Sequence, residues 1–221
     1  MTLISRGTIK GVLFSTCAVS ATLVACTEVA ASHGHRSRCA PPHAQTIAKD
    51  RYIRVYSLGE KASRQGGTYA CLLRRGSTVA LARPRQYLPD SIGHIVLAGT
   101  IVAYTDSTHG VDTGSTDIVL VNVASGRILL TIPGVGSFVD ACVISFRDVT
   151  DLAVTYRGSV AWIVRKGTHC TTATFEVHSA RTSGGPALLE EGPAIVPGSL
   201  RVSGQTVSWE NSGQRKSAGL S

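Results

Sequence analysis

The clearest structural pattern in the sequence begins with IVLAGTIVAY, residues 95–104. It has the pattern of an apolar strand, a turn at Gly99 and a second strand that closes on a small residue and an aromatic one. The same pattern returns in LAVTYRGSVAW (152–162), with one extra residue, and in LRVSGQTVSW (200–209). A shorter copy, YIRVY, ends at Tyr56. The sequence therefore predicts about four repeated units.

The closing aromatic residues of the copies lie roughly 47 to 58 residues apart, a period typical of propeller blades or kelch-type units. A glycine permits the tight turn in each full copy: Gly99, Gly158 and Gly204. The aromatic side chain would fill the wedge between neighbouring sheets. We therefore predict that Trp162 and Trp209 pack in the core instead of stacking on sugars.

The residues after the first full copy complete a meander. DIVLVNVASGRILLTI (117–132) predicts a third strand, a turn at Ser125–Gly126 and a fourth strand, and residues 171–191 repeat this less regularly. No window has helical periodicity with caps at its ends. We expect an all-β domain over residues 51–221, built as a propeller-like array of about four three- to four-stranded antiparallel sheets. The terminal units look incomplete, so ring closure stays open, and a β-sandwich is the alternative.

The segments AG-x-IVAY, GSVAW and SLRVSGQTVSW, with YACLL nearer the start, resemble secreted β-propeller-like proteins of actinobacteria with WD- or kelch-type repeats. The resemblance covers most of residues 52–213. It implies a fold and an exported location. Because the shared motifs are structural, it carries over no catalytic residue.

The first 25 residues have the layout of a signal peptide. Arg6 and Lys10 precede an uncharged run over residues 11–25, which is too short to span a membrane. Leu23-Val24-Ala25-Cys26 resembles a bacterial lipobox, which predicts a lipidated Cys26 and a stable membrane anchor. Val29-Ala30-Ala31 would instead suit ordinary signal peptidase and release a secreted protein. Residues 26–50 lack periodicity and are predicted to be a tether.

Four cysteines remain once the leader and Cys26 are set aside. Cys39, Cys71, Cys142 and Cys170 are an even number in an exported chain, which favours two disulfides. Four cysteines allow three pairings, and their order along the chain favours Cys39–Cys71 and Cys142–Cys170. None has the close spacing of a zinc or redox site.

The net charge of +8 is unevenly distributed. Residues 27–85 hold eleven Lys or Arg against three acidic residues, whereas residues 86–221 hold nine against eleven. The basic part would suit anionic lipid or a cell-wall polymer, or would form an ordinary solvated surface. No nucleic-acid recognition motif is present, so we expect no nucleic-acid partner. The expected partners are the membrane, through the lipid anchor, and a protein or wall polymer.

Two predicted loops carry the candidate site. The loop TDSTHGVDTGSTD (105–117) and the loop RKGTHCTT (165–172) would join second to third strands and emerge on one face. Their side chains would hold a ligand, a hard cation or a substrate proton. The candidate residues are Asp106, His109, Asp112, Asp117, Arg165 and His169. The 112–117 segment lacks the spacing of an EF-hand loop, so we assign no metal and no cofactor.

The sequence favours a non-enzymatic binding or scaffold protein of the cell envelope, because it shows no Gly-x-Ser-x-Gly elbow and no catalytic constellation. The rival interpretation is an envelope hydrolase or metal-dependent lyase that uses Asp106, His109, Asp112 or His169. A bound metal, or a tight cluster of these side chains in a cleft, would favour the enzyme.

Overall fold

The computed structural model describes residue 39 and residues 41–59, 66–82, 91–110, 113–139, 145–168 and 172–220. Strands, turns and bends account for all regular structure in these segments. No helix in them is long and apolar enough to cross a membrane. The all-β prediction is confirmed. The leader, Cys26, Cys142 and Cys170 lie outside the described residues.

In the residues that the structure describes, fifteen strands form four units in chain order. Unit 1 contains β1 (Gln45–Lys49), β2 (Ile53–Leu58), β3 (Gly67–Leu72) and β4 (Ser77–Ala82). Unit 2 contains β5 (Ser91–Ala98), β6 (Ile101–His109), β7 (Thr113–Asn122) and β8 (Arg127–Val139). Unit 3 contains β9 (Ser145–Val154), β10 (Val160–Thr168), β11 (Thr174–Ala180) and β12 (Ala187–Gly192). Unit 4 contains β13 (Arg201–Ser203), β14 (Thr206–Asn211) and β15 (Gln214–Gly219).

Within each unit every strand pairs antiparallel with the next strand along the chain. Units 2 and 3 share one eight-stranded sheet, because the 13-residue strand β8 pairs with β7 along its length and with β9 only at its last residues. The register there joins Ser137 to Arg147 and Val139 to Ser145. Over the described segments the other two sheets have four and three strands, and none of these three sheets is closed. The β-bulges in the β7–β8 and β9–β10 pairings increase the local twist of the long sheet.

The repeated turn glycines adopt the conformation that the sequence pattern predicts. The φ angles are 64° at Gly99, 88° at Gly158 and 61° at Gly204, a region that L side chains rarely enter. Each glycine joins the first and second strands of its unit, so the short hairpin forms without strain.

The recurring aromatic residues fill the spaces between successive units, as predicted. Tyr104 is buried with unit 1 side chains, Trp162 with unit 2 side chains and Trp209 with unit 3 side chains. Trp162 is 2% exposed and Trp209 is 4% exposed, which confirms that both are core residues. Three apolar clusters thus join unit 1 to unit 2, unit 2 to unit 3 and unit 3 to unit 4. The first strands of the units also contact one another in order, β1 with β5, β5 with β9 and β9 with β13.

The folded region begins earlier than residue 51. The sequence places residues 26–50 in a tether, but the structure has strand β1 over Gln45–Lys49 and pairs it with β2. Unit 1 is therefore complete, and the copy that ends at Tyr56 is not truncated. Strand β1 escapes sequence detection because four of its five residues are exposed and it lacks apolar alternation.

A disulfide joins Cys39 to Cys71 on β3, which confirms one of the two predicted pairings. Both cysteines are buried with Tyr56, on the face of unit 1 that points away from unit 2. The guanidinium of Arg54 fastens the same segment by donating to the carbonyl oxygens of Cys39, at 2.7 Å, and Ala44, at 3.3 Å. The chain before β1 is therefore cross-linked to the sheet that follows it.

Unit 4 has a polar edge strand. Strand β15 is exposed at five of its six positions and carries Arg215 and Lys216. Charged side chains on an edge strand discourage pairing with another chain.

Candidate functional site

The predicted loop over residues 105–117 is mostly strand, and this expectation was wrong. Strand β6 runs to His109 and β7 begins at Thr113, so only residues 110–112 connect them. Hydroxyl groups face each other across the hairpin, with Ser107 Oγ 2.9 Å from Thr116 Oγ1. Ser, Thr, Asp and Gly are common in turns, but the threonines here fit a pleated strand equally well.

Three candidate residues lie on this hairpin. Asp106 and Asp117 are directly opposite each other in the register of β6 and β7. The carboxylate of Asp117 accepts a 2.9 Å hydrogen bond from the backbone N–H of Gly134. His109 Nε2 lies 3.5 Å from the hydroxyl oxygen of Ser91 on β5.

Arg165 lies on β10, not in a loop. Its guanidinium forms a 2.9 Å ion pair with Asp148 and lies 4.7 Å from the ring centroid of Phe146. Asp112 and His169 lie outside the described residues. In the part of the chain that the structure describes, no three His, Cys, Asp or Glu side chains come close enough to hold a metal ion.

A charged cluster that the sequence did not predict lies on unit 3. Glu176 on β11 is 6% exposed and is the centre of the cluster. Its carboxylate accepts hydrogen bonds from Lys166 Nζ at 2.5 Å, Arg147 Nη2 at 2.9 Å and His178 Nε2 at 2.9 Å. Lys166 Nζ also lies 2.7 Å from a carboxylate oxygen of Glu191. These five residues, from four neighbouring strands, are the Glu176 cluster.

Strand register brings the cluster together. Lys166 on β10 is opposite both Arg147 on β9 and Thr174 on β11. Glu176 lies two residues after Thr174 on β11 and is paired with Glu191 on β12. Since side chains on one face of a sheet recur every second residue, all of these groups project to the same face.

The electrostatics of the cluster fix Glu176 as an anion. Burial alone would raise the pKa of its carboxyl, but hydrogen bonds from Lys166 and His178 and the charge of Arg147 outweigh burial and lower the pKa to about 2. The hydrogen bonds to Glu176 and Glu191 in turn raise the pKa of Lys166. A carboxylate held by three donors is a poor proton donor at neutral pH, so the geometry gives Glu176 a positioning role.

The apolar end of the cluster rests on the core between units 2 and 3. The imidazole of His178 stacks on the indole of Trp162, with ring centroids 5.3 Å apart and ring planes at 11°. Because Trp162 is buried, this contact fixes the ring that donates to Glu176. The repeat aromatic thus supports the charged cluster as well as the core.

An open cleft of about 470 Å³ lies beside the cluster, at the ends of β8, β9, β10 and β11. Its charged lining residues are Arg147 and Lys166, whose side chains are 41% and 31% exposed. Five hydroxyl residues also line it, together with Phe146 and Gly167: Ser137, Ser145, Thr168, Thr172 and Thr174. The described lining contains no carboxylate. The cleft offers hydrogen-bond donors and two cations that Glu176 holds in place.

The search of protein-family models finds no match to this sequence, and a search of curated proteins finds no significant match.

Proposed function

We propose that the chain is an exported, lipid-anchored, non-enzymatic binding protein of the cell envelope, built as a propeller-like array. The successive contacts of β1, β5, β9 and β13 support a radial arrangement over a sandwich, because the first strands of propeller blades line the axis. The disulfide supports an oxidising, extracytoplasmic location.

The cleft beside the Glu176 cluster carries the binding proposal. Its lining combines two cations with five hydroxyl groups and contains no described carboxylate. This set of groups suits an anionic, hydroxyl-bearing ligand such as an acidic glycan of the envelope, since ammonium and guanidinium groups bind carboxylate or phosphate and hydroxyls bind sugar oxygens. The Glu176 carboxylate is ionised and already accepts three hydrogen bonds, so Glu176 is not suited to act as a general acid.

Calorimetric titration of the full chain with oligogalacturonate tests the binding, with a neutral glucan oligomer of equal length as the reference ligand. Lys166→Met should weaken binding of the acidic oligomer on the order of tenfold, because it removes one charged donor from the cleft. Arg165→Met is the matched control, since Arg165 is the adjacent residue on β10 and projects to the opposite face of the sheet, where it pairs with Asp148.

Three results would contradict this function. They are equal affinity for the acidic and neutral oligomers, equal effects of the two substitutions, and metal-dependent hydrolysis or elimination of the oligomer. The last would favour the alternative enzyme that uses Asp106, His109, Asp112 or His169.

The intact mass of the chain, made with its own leader in a bacterial host, tests the anchor. We expect a species that begins at Cys26 and carries a diacylglyceryl group. A plain chain that begins near Ser32 would show a freely secreted protein and would overturn the lipid anchor.

A further inference from the structure

The hairpin turns opposite the cleft form a second surface, which we call the hairpin face. It consists of the turns that join first to second and third to fourth strands: residues 50–52, 73–76, 99–100, 123–126, 155–159, 181–186 and 204–205. The cleft lies at the other ends of the same strands.

Close approaches show that turns from different units adjoin each other. A Cβ atom placed on Gly158 in unit 3 would lie 3.6 Å from Leu129 Cδ1 in unit 2, and one on Gly99 in unit 2 would lie 3.8 Å from Tyr156 Cβ in unit 3. A Cβ atom on Gly126 would lie 3.8 Å from Val79 Cγ2 in unit 1. Ser159 Oγ donates a 3.0 Å hydrogen bond to the carbonyl oxygen of Leu220, which follows β15. The turns of units 1 to 3 and the end of unit 4 therefore lie on one side.

The charges of the hairpin face are almost all positive. The face and the strand residues that flank it carry seven basic residues and one acidic residue, Asp50. The basic residues are Lys49, Arg51, Arg74, Arg75, Arg127, Arg157 and Arg181. The rest of the described chain carries seven basic residues against eight acidic ones. The net charge is thus +6 on this face, from seven minus one, and −1 elsewhere in the described residues, from seven minus eight.

The basic side chains of this face are not neutralised. All seven are exposed, and within the described segments no ion pair involves any of them. The one acidic residue is engaged locally, since the Asp50 carboxylate accepts the backbone N–H groups of Tyr52 at 2.7 Å and Ile53 at 2.6 Å. The face therefore presents a field that attracts an anionic surface.

Apolar side chains are exposed among these charges. Ile128 is 65% exposed, Tyr156 is 61% exposed and Leu188 is 55% exposed. They are three of the five large hydrophobic residues that are exposed in the described chain, the others being Ile47 and Val196. Arg157 lies over the Tyr156 ring, 5.7 Å from its centroid. Basic residues interspersed with Tyr, Ile and Leu suit the headgroup region of a bilayer, which accepts both charge and apolar side chains.

We propose that the hairpin face docks on a bilayer of anionic phospholipid. A soluble polyanion would satisfy the arginines but would leave Ile128, Tyr156 and Leu188 in water, so the exposed apolar residues favour the bilayer. The proposal concerns the folded units alone and does not depend on lipidation of Cys26. It also does not depend on the ligand of the cleft, which lies at the opposite strand ends.

Co-sedimentation of the full chain with vesicles tests the proposal, with Cys26→Ala in every sample so that residues 1–38 contribute equally. Vesicles of phosphatidylglycerol mixed with phosphatidylcholine should bind the protein, and pure phosphatidylcholine vesicles should bind it far more weakly. Arg75→Gln with Arg127→Gln should weaken binding to the anionic vesicles about 25-fold, at about fivefold per basic residue. Raising the ionic strength should also weaken it.

Two matched controls separate this surface from non-specific attraction. Arg215→Gln with Lys216→Gln makes the same change in net charge on the exposed strand β15 and should change binding much less. Ile128→Thr with Tyr156→Ser should weaken vesicle binding, whereas Ile47→Thr with Val196→Thr should not.

Any of three results would overturn the proposal. The first is equal binding to neutral and anionic vesicles, and the second is equal effects of the two double charge substitutions. The third is a combination of two observations. Soluble heparin binds tightly in a way that depends on Arg75 and Arg127, and Ile128→Thr with Tyr156→Ser leaves vesicle binding unchanged. That result would assign the face to a soluble anionic polymer.

Discussion

The hydroxyl of Tyr104 donates a 2.8 Å hydrogen bond to the carbonyl oxygen of Leu81, and this bond crosses from unit 2 to unit 1. Tyr104 is 3% exposed, so the acceptor has no ready substitute in water. Tyr104→Phe should lower the free energy of unfolding by about 1–2 kcal/mol, because it leaves a buried carbonyl without its donor. Urea unfolding measures the change, and an unaltered midpoint would contradict it.

The same hydroxyl makes stability sensitive to alkaline pH. Burial, and then the negative charge of Asp106, raises the pKa of Tyr104 from 10.0 to about 12. A raised pKa means that the folded state holds the proton more tightly than the unfolded state. The resulting stabilisation is complete below pH 10 and is lost as the pH rises towards 12, by about 2–3 kcal/mol. Unfolding measured from pH 9 to 12 should show this loss, and Tyr104→Phe should remove that component.

Glu176 should make stability sensitive to acid, whereas Tyr104 makes it sensitive to alkali. Its pKa falls from 4.5 to about 2 on folding, so its stabilisation is complete above pH 4.5 and is lost as the pH falls through 2. Glu176→Gln should lower the free energy of unfolding by about 3 kcal/mol at pH 7, since it leaves Lys166 and Arg147 without their shared carboxylate.

The exposed ion pair of Asp148 and Arg165 is the control for Glu176, because the two side chains are 48% and 46% exposed. Asp148→Asn should change the free energy of unfolding by less than about 1 kcal/mol. If Glu176→Gln and Asp148→Asn lowered the free energy of unfolding by similar amounts, burial would not make the Glu176 contacts more stabilising than an exposed ion pair.

Removal of the Cys39–Cys71 disulfide should destabilise the domain. The bridge closes a loop with a sequence separation of 32 residues, for which the chain-entropy estimate is about 3–4 kcal/mol. Cys39→Ala with Cys71→Ala should lose that amount in urea unfolding. Intact mass before and after reduction gives the number of disulfides, since reduction of each disulfide adds two hydrogen atoms. A gain of two hydrogens would mean that Cys142 and Cys170, whose pairing stays a prediction, are not bridged to each other.

Two turn glycines should differ in their tolerance of a side chain. A Cβ atom on Gly158 would lie 3.2 Å from Thr182 Cγ2, whereas one on Gly204 would meet nothing within 4 Å. Gly204→Ala should cost about 1 kcal/mol for its positive φ alone. Gly158→Ala should cost about 2–3 kcal/mol, because crowding adds to the conformational strain. Thermal unfolding of the two variants gives the comparison, and equal losses would rule out the crowding.

The repeat of glycine and aromatic residues is why the sequence predicts the units so well. Each unit needs a turn glycine and a buried aromatic residue at the same places, so the pattern is repeated within one sequence and can be detected there. Strand β1 was missed because an exposed edge strand needs no apolar alternation. The loop predicted over residues 105–117 is wrong because residues typical of loops also pair across a hairpin, as Ser107 and Thr116 do.

The Glu176 cluster shows what a single sequence conceals. Arg147 and Glu176 lie 29 residues apart in the chain, and only the registers of β9, β10 and β11 bring them together. The alternation of Trp162, Val164 and Lys166 on one face of β10 was the available signal. This signal is interpretable only when the register of each strand pair is known. A pattern of strands along one sequence does not give that register.

The disulfide also determines how the domain would bear mechanical load. Tension on the chain before residue 39 reaches Cys39 first and passes through the sulfur atoms to Cys71, in the interior of the unit 1 sheet. Strands β1 and β2 lie within the closed loop, so they are shielded from being peeled away one at a time. A protein held by its amino-terminal end would therefore resist traction through a covalent link to β3, and its weakest mechanical element would lie elsewhere in the array.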